Sequence, residues 1–262
     1  MKTSLALCAM ALLLTCAGSS AHAAARPHAE VSVVLVHGAL IDGSAWRGVY
    51  DVLTRDGYHV SIVQQPLTGL EEDVAATKRV LDQQPGPIIL VGHSYGGAII
   101  TVAGADPKVK ALVYVAALVP DAGETAAQPA PPKPPQAENF VVTPDGFITI
   151  KPDKFVSEFG ADLPRAQAEF MSHAQVPVAA RAFDGKVSIA AWHDKPSYFV
   201  LATEDRALDP EAAQRMAERA GAKVTRVKAS HAVLISQPRA VARVIEAAAR
   251  EDRSIQMRTP GR

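Results

Sequence analysis

The sequence predicts an α/β protein in which about six parallel strands form one sheet with helices on both faces. Short β-branched runs alternate along the chain with longer segments of helical period. Several of the runs are apolar throughout, which is typical of strands covered on both sides. The length of 262 residues, 48% of them hydrophobic, is enough for one large domain with a sizeable core. Such alternation is built from right-handed crossovers.

The individual elements follow from these patterns. Strands are predicted where β-branched residues cluster in short apolar runs, at 31–36, 59–63, 87–92, 111–115, 198–202 and 224–228. Helices are predicted where apolar residues recur with a period near 3.6, at 44–55, 70–83, 95–105, 210–220 and 238–250.

One interval, 120–195, breaks the alternation because it has no convincing buried strand. Its segment "PAPPKPPQ" at 129–136 is too rich in proline for a helix or a central strand. We therefore predict an inserted cap with an extended linker, a small hairpin around "TPDGFITI" and two short helical regions. The predicted organisation is an α/β core at 24–119 and 196–251, a cap at 120–195 with its hairpin at 143–150 and helices near 151–159 and 164–174, and a frayed polar tail at 252–262.

The first 23 residues have the features of a signal peptide. Lys2 is followed by an apolar stretch too short to span a bilayer, and Ala21-His22-Ala23 has the small-x-small pattern of a cleavage site. Cleavage after Ala23 predicts a periplasmic or secreted protein. A buried N-terminal helix is less favoured because no amphipathic period interrupts the stretch, and a lipoprotein acylated at Cys16 is a further alternative.

Charge and cysteine content exclude several classes. Lys plus Arg and Asp plus Glu both number 27, and no basic run occurs, so we expect neither a nucleic-acid partner nor stable membrane insertion after cleavage. Both cysteines, Cys8 and Cys16, lie in the leader, so the predicted mature chain has no disulfide and no thiolate metal site.

The stretch "ILVGHSYGG" contains the pattern G-x-S-x-G with Ser94 at its centre. An apolar strand precedes it and an apolar helix follows, the context in which small residues allow a sharp turn that exposes a serine nucleophile. The turn also places Ser94 at a helix N-terminus, which favours developing negative charge. The alternative is an ordinary turn serine.

A nucleophilic serine needs a base and an acid later in the chain, in the order Ser, acid, His. Among the eight histidines, His231 follows the last predicted strand and is the one correctly placed. His93 is predicted to pack under the turn. His173 and His193 fall in or beside the cap, where a solvated side chain is favoured over a substrate contact.

For the acid, the stretch after the fifth predicted strand provides Glu204, Asp205 and Asp209. Asp209 precedes Pro210 and Glu211 and is predicted to cap the next helix. Asp205 comes just beyond the strand end, where a carboxylate can reach the His231 loop, so we favour it over the other two.

Two backbone N–H groups are needed to stabilise an oxyanion. The expected donors are Tyr95, which follows the nucleophile, and Ala39 in "VHGAL" after the first strand, where Gly38 permits the turn. No H-E-x-x-H motif or cysteine pair is present, so we predict neither a metal site nor a cofactor.

The stretches "VLVHGAL…W", "GHSYGG", "TEDR…P" and "SHAVLISQP" resemble the α/β-hydrolase superfamily from about Val31 to Glu246. The branch of plant methyl esterases, hydroxynitrile lyases and related exported bacterial hydrolases is the most similar pattern. The resemblance implies the α/β-hydrolase fold, with Ser94, Asp205 and His231 as the catalytic triad and Ala39 and Tyr95 as oxyanion donors. It also implies six strands, because fewer than ten mature residues precede Val31 and leave no room for the superfamily's first hairpin.

Two positions distinguish the chemistries of that branch. The lyases have threonine where this chain has Gly38, and lysine where it has Ala232. The resemblance therefore favours a serine hydrolase that cleaves a small-molecule carboxylic ester through an acyl-enzyme.

Other functions remain open. A perhydrolase or a carbon–carbon bond hydrolase would use the same triad, and a slow-turnover ligand-binding protein would keep it with little catalysis. The cap's apolar residues line an acyl or aromatic pocket in one interpretation and pack the cap's own core in the other: Phe140, Phe147, Phe155, Phe159, Phe170, Met171 and Phe183.

Overall fold

A computed structural model describes residues 31–131 and 136–258. Six strands form one parallel sheet in the order β2-β1-β3-β4-β8-β9, which confirms the predicted fold class. Three further strands form a small antiparallel sheet in the order β5-β6-β7. The strands are β1 (Ser32–Val36), β2 (His59–Val63), β3 (Ile88–His93), β4 (Val109–Val115), β5 (Phe140–Val142), β6 (Phe147–Ile150), β7 (Val178–Ala179), β8 (Ser197–Ala202) and β9 (Lys223–Val227).

Helices alternate with the strands of the large sheet and also form part of the cap. Single turns of 3₁₀-helix lie at Gly43–Trp46, Gln136–Asn139 and Ala191–His193, and a π-helical turn lies at Phe155–Phe159. The α-helices are α1 (Arg47–Arg55), α2 (Leu70–Asp82), α3 (Gly96–Ala103), α4 (Pro152–Lys154), α5 (Arg165–His173), α6 (Arg181–Asp184), α7 (Pro210–Arg219), α8 (Val233–Ser236) and α9 (Pro238–Arg258).

The large sheet lies between two apolar layers. Each of its central strands contributes side chains to both layers, because successive residues point to opposite faces. In β3, Leu90 faces one layer while Ile89 and Val91 face the other. Helices α2, α3 and α7 cover the first face, and α1 and α9 cover the second. The central strands are therefore buried on both sides, which is why their sequences are apolar throughout.

The C-terminal prediction needs a correction. Helix α9 continues to Arg258, beyond the predicted end at 250, so the first part of the polar tail is helical rather than frayed. The predicted leader, Cys16, four residues of the proline-rich segment (132–135) and the last four residues of the chain lie outside the described residues. Within the described part of the chain, no helix is long and apolar enough to cross a membrane.

The cap lies between β4 and β8 and contains more strand than its sequence indicates. The predicted hairpin is present as β5 and β6, with Gly146 in the left-handed region at its turn. Strand β7 was not predicted: Val178 and Ala179 are buried and pair with β6, although two residues are too short to give a periodic signal. Helix α6, which comes directly after β7, was not predicted either, because four residues are too few to show a helical period.

All strands of the large sheet run in the same direction, so their carboxyl ends meet along one edge. The loops that follow β1, β2, β3, β8 and β9 are therefore brought together, and the crevice at that edge is the usual binding position in an open α/β sheet.

Candidate active site

The turn between β3 and α3 is a strained elbow whose geometry depends on two glycines. Ser94 lies at its tip with φ of 52°, in the left-handed region. A Cβ atom at Gly92 would lie 2.5 Å from the carbonyl oxygen of Gly96, and one at Gly96 would lie 2.6 Å from the carbonyl oxygen of His37. Backbone is therefore in contact with backbone on both sides of the serine, which only glycine permits.

The structure brings Ser94, His231 and Asp205 into one hydrogen-bonded chain. The Ser94 Oγ atom lies 2.8 Å from Nε2 of His231, and Nδ1 of His231 lies 2.7 Å from Oδ2 of Asp205. Because an ionised carboxylate only accepts hydrogen bonds, Nδ1 carries the proton and the neutral ring leaves Nε2 free to accept from the serine hydroxyl. This is the tautomer that can take the serine's proton.

The second carboxylate oxygen of Asp205 is held by backbone. Its Oδ1 atom accepts hydrogen bonds from the N–H groups of Ala207 and Leu208, at 2.9 and 2.8 Å. The other two candidate acids, Glu204 and Asp209, interact elsewhere. Glu204 is exposed and forms an ion pair with Lys228, and Asp209 caps α7 as its sequence position predicts. Of the three acids, Asp205 alone is hydrogen-bonded to His231.

The two expected oxyanion donors lie beside the serine. Tyr95 follows it directly, and Ala39 lines the same cavity as Ser94. Neither backbone N–H has a hydrogen-bond acceptor among the described residues, so both are free to bind a ligand oxygen. A Cβ atom at Gly38 would lie 2.8 Å from Cβ of Ser94, so this loop has no room for a side chain at that position.

His37 and His93 are buried beneath this loop and the elbow. Burial lowers the pKa of His37, whose Nδ1–H donates to the carbonyl oxygen of Gly38 at 2.8 Å. Burial also lowers the pKa of His93 well below its usual range, so its ring is neutral. The Nε2–H group of His93 donates to the carbonyl oxygen of His231 at 3.0 Å, so His93 lies under the turn and supports the backbone of the histidine loop.

Phe159, from the cap, supports the same loop. Its ring meets that of His231 edge to face, with 5.0 Å between centroids. Its carbonyl oxygen accepts hydrogen bonds from the N–H of Ala232 and the hydroxyl of Ser230, each at 3.0 Å. Nothing in the sequence singles out Phe159 among the cap's phenylalanines, because the contact depends on how the cap packs against the core.

A cavity of about 320 Å³ opens onto Ser94 and His231. Of the seven apolar cap residues that the sequence offers as pocket candidates, Phe140, Phe159 and Phe183 line this cavity. Phe155 is instead fully buried in the core. Phe147, Phe170 and Met171 face surface grooves elsewhere. The cavity is lined by Ala39, Leu40, Ser94, Leu118, Ala127, Ala130, Phe140, Ile148, Ile150, Phe159, Val178, Ala180, Phe183, Asp184, Ala207, Leu208 and His231.

A larger groove of about 840 Å³ lies between β9 and α9, but none of the predicted site residues lines it. Within residues 31–131 and 136–258, no group of three or more His, Cys, Asp or Glu side chains is arranged to hold a metal ion.

Residues 33–244 match the family model described as the alpha/beta hydrolase family. The chain belongs to this family. It is therefore a hydrolase, and its relatives include esterases. It is 25% identical over 243 residues to the alpha/beta hydrolase nvfD of Aspergillus novofumigatus, a match that covers 84% of this chain and 97% of that protein.

Two bacterial relatives carry more specific names. The chain is 26% identical over 247 residues to a pyrethroid hydrolase of Sphingobium wenxiniae, covering 81% of this chain and 85% of that protein. It is 36% identical to a carbendazim hydrolyzing esterase of a Nocardioides species, but over 109 residues only, or 35% of this chain and 44% of that protein.

Solved structures support the fold. A methylesterase from Arabidopsis superposes with a TM-score of 0.72 at 18% identity, covering 84% of this chain and 99% of that one. An extracellular alpha/beta-hydrolase from a Paenibacillus species superposes with a TM-score of 0.71 at 19% identity, covering 83% and 98%. At these identities the likeness shows a shared fold.

Proposed function

We propose that the chain is a serine carboxylic-ester hydrolase that forms an acyl-enzyme on Ser94 and acts on a small, largely apolar ester. The observation that carries this proposal is the hydrogen-bonded chain from Asp205 through His231 to Ser94, which opens onto an apolar cavity. A cavity of about 320 Å³ is within the range of small-molecule sites. The esterases among the relatives support the same reaction class.

In the acylation step, Nε2 of His231 takes the hydroxyl proton while Oγ of Ser94 attacks the ester carbonyl carbon. The carbonyl oxygen becomes an oxyanion that accepts hydrogen bonds from the N–H groups of Ala39 and Tyr95. Asp205 stabilises the imidazolium that forms. The intermediate then collapses, His231 gives the proton to the departing alcohol, and the acyl group stays on Ser94.

Deacylation repeats these roles with water. His231 removes a proton from a water molecule as its oxygen attacks the acyl carbon, and the acid leaves when the bond to Ser94 Oγ breaks and the proton returns to the serine. The cavity sets which esters reach Ser94. Among the described residues that line it, most are aliphatic or aromatic and Asp184 is the only acidic one, so neutral esters are the expected substrates.

The test is hydrolysis of p-nitrophenyl and methyl esters of rising acyl length by the chain that starts at Ala24. Replacing Ser94 by Ala should lower kcat by several orders of magnitude, on the order of 10⁶ where the nucleophile of such a triad is removed. The matched control is Ser172→Ala, since Ser172 is a buried cap serine that bonds to the carbonyl oxygen of Glu169 and does not line the cavity.

The outcomes separate the alternatives. A Ser94→Ala variant with nearly full activity contradicts the proposal. If a fluorophosphonate labels Ser94 but no ester is turned over, the triad serves another reaction, such as perhydrolysis with added peroxide or cleavage of a carbon–carbon bond. Saturable binding of ligands without labelling or turnover would indicate a binding protein.

We also propose export, with residues 1–23 removed as a signal peptide. The leader's charge, apolar stretch and small-x-small end support this, and one protein of similar structure is described as extracellular. Expression of the full chain in a Gram-negative host and intact mass measurement of the periplasmic product should give a protein that begins at Ala24. A product that keeps Met1, or one that is lipidated at Cys16, would contradict this cleavage.

A further inference from the structure

Asp73 is a buried carboxylate behind the nucleophile elbow, and no step of the proposed reaction uses it. Helix α2 begins with three acids, of which Glu71 and Glu72 are exposed, whereas Asp73 has no exposed surface. A carboxylate in such a position costs free energy unless it is hydrogen-bonded. Acids in the first turn of a helix are ordinary, so nothing in the sequence distinguished Asp73 from its neighbours.

Both carboxylate oxygens of Asp73 are engaged. Oδ2 accepts a hydrogen bond from the hydroxyl of Tyr95 at 2.9 Å, and Oδ1 accepts one from the N–H of Leu67 at 2.8 Å. Tyr95 is fully buried and is the residue whose N–H is the expected oxyanion donor. The carboxylate therefore fixes the side chain of a residue whose backbone faces the reacting carbonyl.

The hydrogen bond between Asp73 and Leu67 supports the loop that lies under the cap. Leu67 has φ of 56°, and its carbonyl oxygen accepts a hydrogen bond from the N–H of Ala179 in β7 at 2.8 Å. Strained backbone of this kind persists when its surroundings over-determine it. Asp73 thus connects two strained points, the elbow on one side and the loop under β7 on the other.

The charges around Asp73 are few. Burial raises the pKa of Asp73 to about 6. The hydrogen bonds from Tyr95 and Leu67 lower this pKa, but the effect of burial is larger. The nearby Glu72 raises the pKa further and Arg181 lowers it, but these two side chains are exposed and paired with each other at 2.9 Å. Asp73 is consequently ionised at neutral pH, where it is a strong acceptor for the phenol of Tyr95.

We propose that Asp73 is a positioning residue for the oxyanion site, which it holds through the hydroxyl of Tyr95 while its bond to Leu67 holds the loop under the cap. The inference rests on the proposed function, because the N–H of Tyr95 matters only if an oxyanion forms there. Loss of one oxyanion donor costs about 10²–10³ in kcat. A donor that is displaced rather than removed should cost less, roughly tenfold.

The experiment compares Asp73→Asn, Tyr95→Phe and the double variant with the unmodified chain. The first readout is the rate at which a fluorophosphonate phosphonylates Ser94: the Oγ–P bond forms, fluoride leaves, and His231 takes the proton. The second is kcat and KM for the best ester of the panel. We expect both single variants to lower the phosphonylation rate and kcat by roughly tenfold with KM within about twofold, and the double variant to lose no more than either.

Thr77→Val is the matched control. Thr77 is buried on the same helix and its hydroxyl donates to the carbonyl oxygen of Asp73 at 3.0 Å, so the variant loses a buried hydrogen bond without touching the elbow. It should keep full rates. Equal losses in Thr77→Val and Asp73→Asn would overturn the proposal, because they would reflect destabilised α2 alone.

The remaining outcomes separate this inference from the proposed function. If Ser94 reacts equally fast in Asp73→Asn and in the unmodified chain, Asp73 is not a positioning residue, whatever the substrate. A loss confined to KM also overturns the inference. If Ser94 does not react with the phosphonate even in the unmodified chain, the proposed function fails first and this inference fails with it.

Discussion

The elbow and the cap are built in opposite ways, although both contribute to one site. At Gly92 and Gly96 an added Cβ atom would meet backbone at 2.5 and 2.6 Å. At Gly160 in the cap it would meet only side-chain carbons, the nearest at 3.2 Å, and at Gly146 nothing lies within 4 Å. The reacting groups are thus placed by backbone against backbone, whereas the substrate cavity is shaped by side chains that can be exchanged.

In the part of the chain that the structure describes, three backbone hydrogen bonds join the cap to loops of the core that carry or support a site residue. The N–H of Val176 donates to Leu40 after β1, and that of Ala179 donates to Leu67 after β2. In the other direction, Ala232 after β9 donates to the carbonyl oxygen of Phe159. The cap therefore supports the loops that position the triad, and its contact with the elbow is the ring of Phe183, which packs against the ring of Tyr95 with 5.2 Å between centroids.

The largest difference between the two regions should appear when one methyl group is added to each. In Gly96→Ala the new Cβ has no room beside His37, so Ser94 and the N–H of Tyr95 must shift. A misplacement of about 1 Å can cost roughly 10² in rate. We expect kcat/KM to fall at least about a hundredfold, with about 1–3 kcal/mol lost from the free energy of unfolding.

Gly160→Ala is the comparison in the cap. Its Cβ would press on Cδ1 of Leu163, the end of a flexible side chain, and the φ of −113° suits any residue. The free energy of unfolding should stay within about 1 kcal/mol and the rate within about threefold. Ester hydrolysis and urea unfolding of both variants measure these effects. Similar losses in the two variants would show that the regions do not differ as described.

A second prediction uses pH, because buried and exposed acids give opposite signs in the two regions. Burial raises the pKa of Asp73 in the core from its ordinary 3.8 to about 6. The folded state then binds more protons than the unfolded state between pH 4 and 6, so the stability that Asp73 contributes falls as pH rises through that window. Asp121 in the cap has a lowered pKa because it bonds to His193, so its contribution is lost as pH falls.

Urea unfolding between pH 4 and pH 7 covers the window in which Asp73 titrates. Asn does not titrate, so Asp73→Asn should gain stability relative to the unmodified chain as pH rises, by roughly 2–3 kcal/mol at about 1.4 kcal/mol per pKa unit. Asp121→Asn should differ from the unmodified chain by an amount that stays nearly constant over the same range, because the lowered pKa of Asp121 places the loss of its contribution below about pH 4. A difference between Asp73→Asn and the unmodified chain that does not change with pH would contradict the burial effect on Asp73.

The same contrast explains what the sequence could predict. Strands β1, β3, β4 and β8 are buried on both faces, so their apolar runs locate them to within two residues at either end. Glycines around Ser94 and the placement of Asp205 and His231 after strands led to the residues that the structure brings together. In each case the backbone position, a strand buried on both faces or a sharp turn, accepts few residue types, so the residue type indicates the structure.

The rest depends on tertiary contacts that leave little local trace. Strand β7 has two residues, and its pairing with β6 closes over a long separation in sequence. Phe159 and Phe170 are indistinguishable as sequence positions, yet one contacts His231 and the other is 72% exposed. Asp73 was missed for the same reason, since an acid in the first turn of a helix is normally solvated.

The smallest predicted effect concerns the cavity. Phe140 lines it from the cap, so Phe140→Ala should lengthen the acyl chain that fits. One methylene in an apolar pocket is worth about 1–3 kcal/mol. We expect the ratio of kcat/KM for long against short p-nitrophenyl esters to rise roughly tenfold, while the rate on the shortest ester changes little.

Phe170→Ala makes the same change on the cap surface, outside the cavity. It should leave the chain-length ratio as it is and the free energy of unfolding within about 0.5 kcal/mol. If both variants shift the ratio equally, the cap responds as a whole and its cavity is not the selecting surface. If Phe140→Ala instead lowers the rate on every ester, the cap residue acts on the triad, and the division between an elbow that reacts and a cap that selects is wrong.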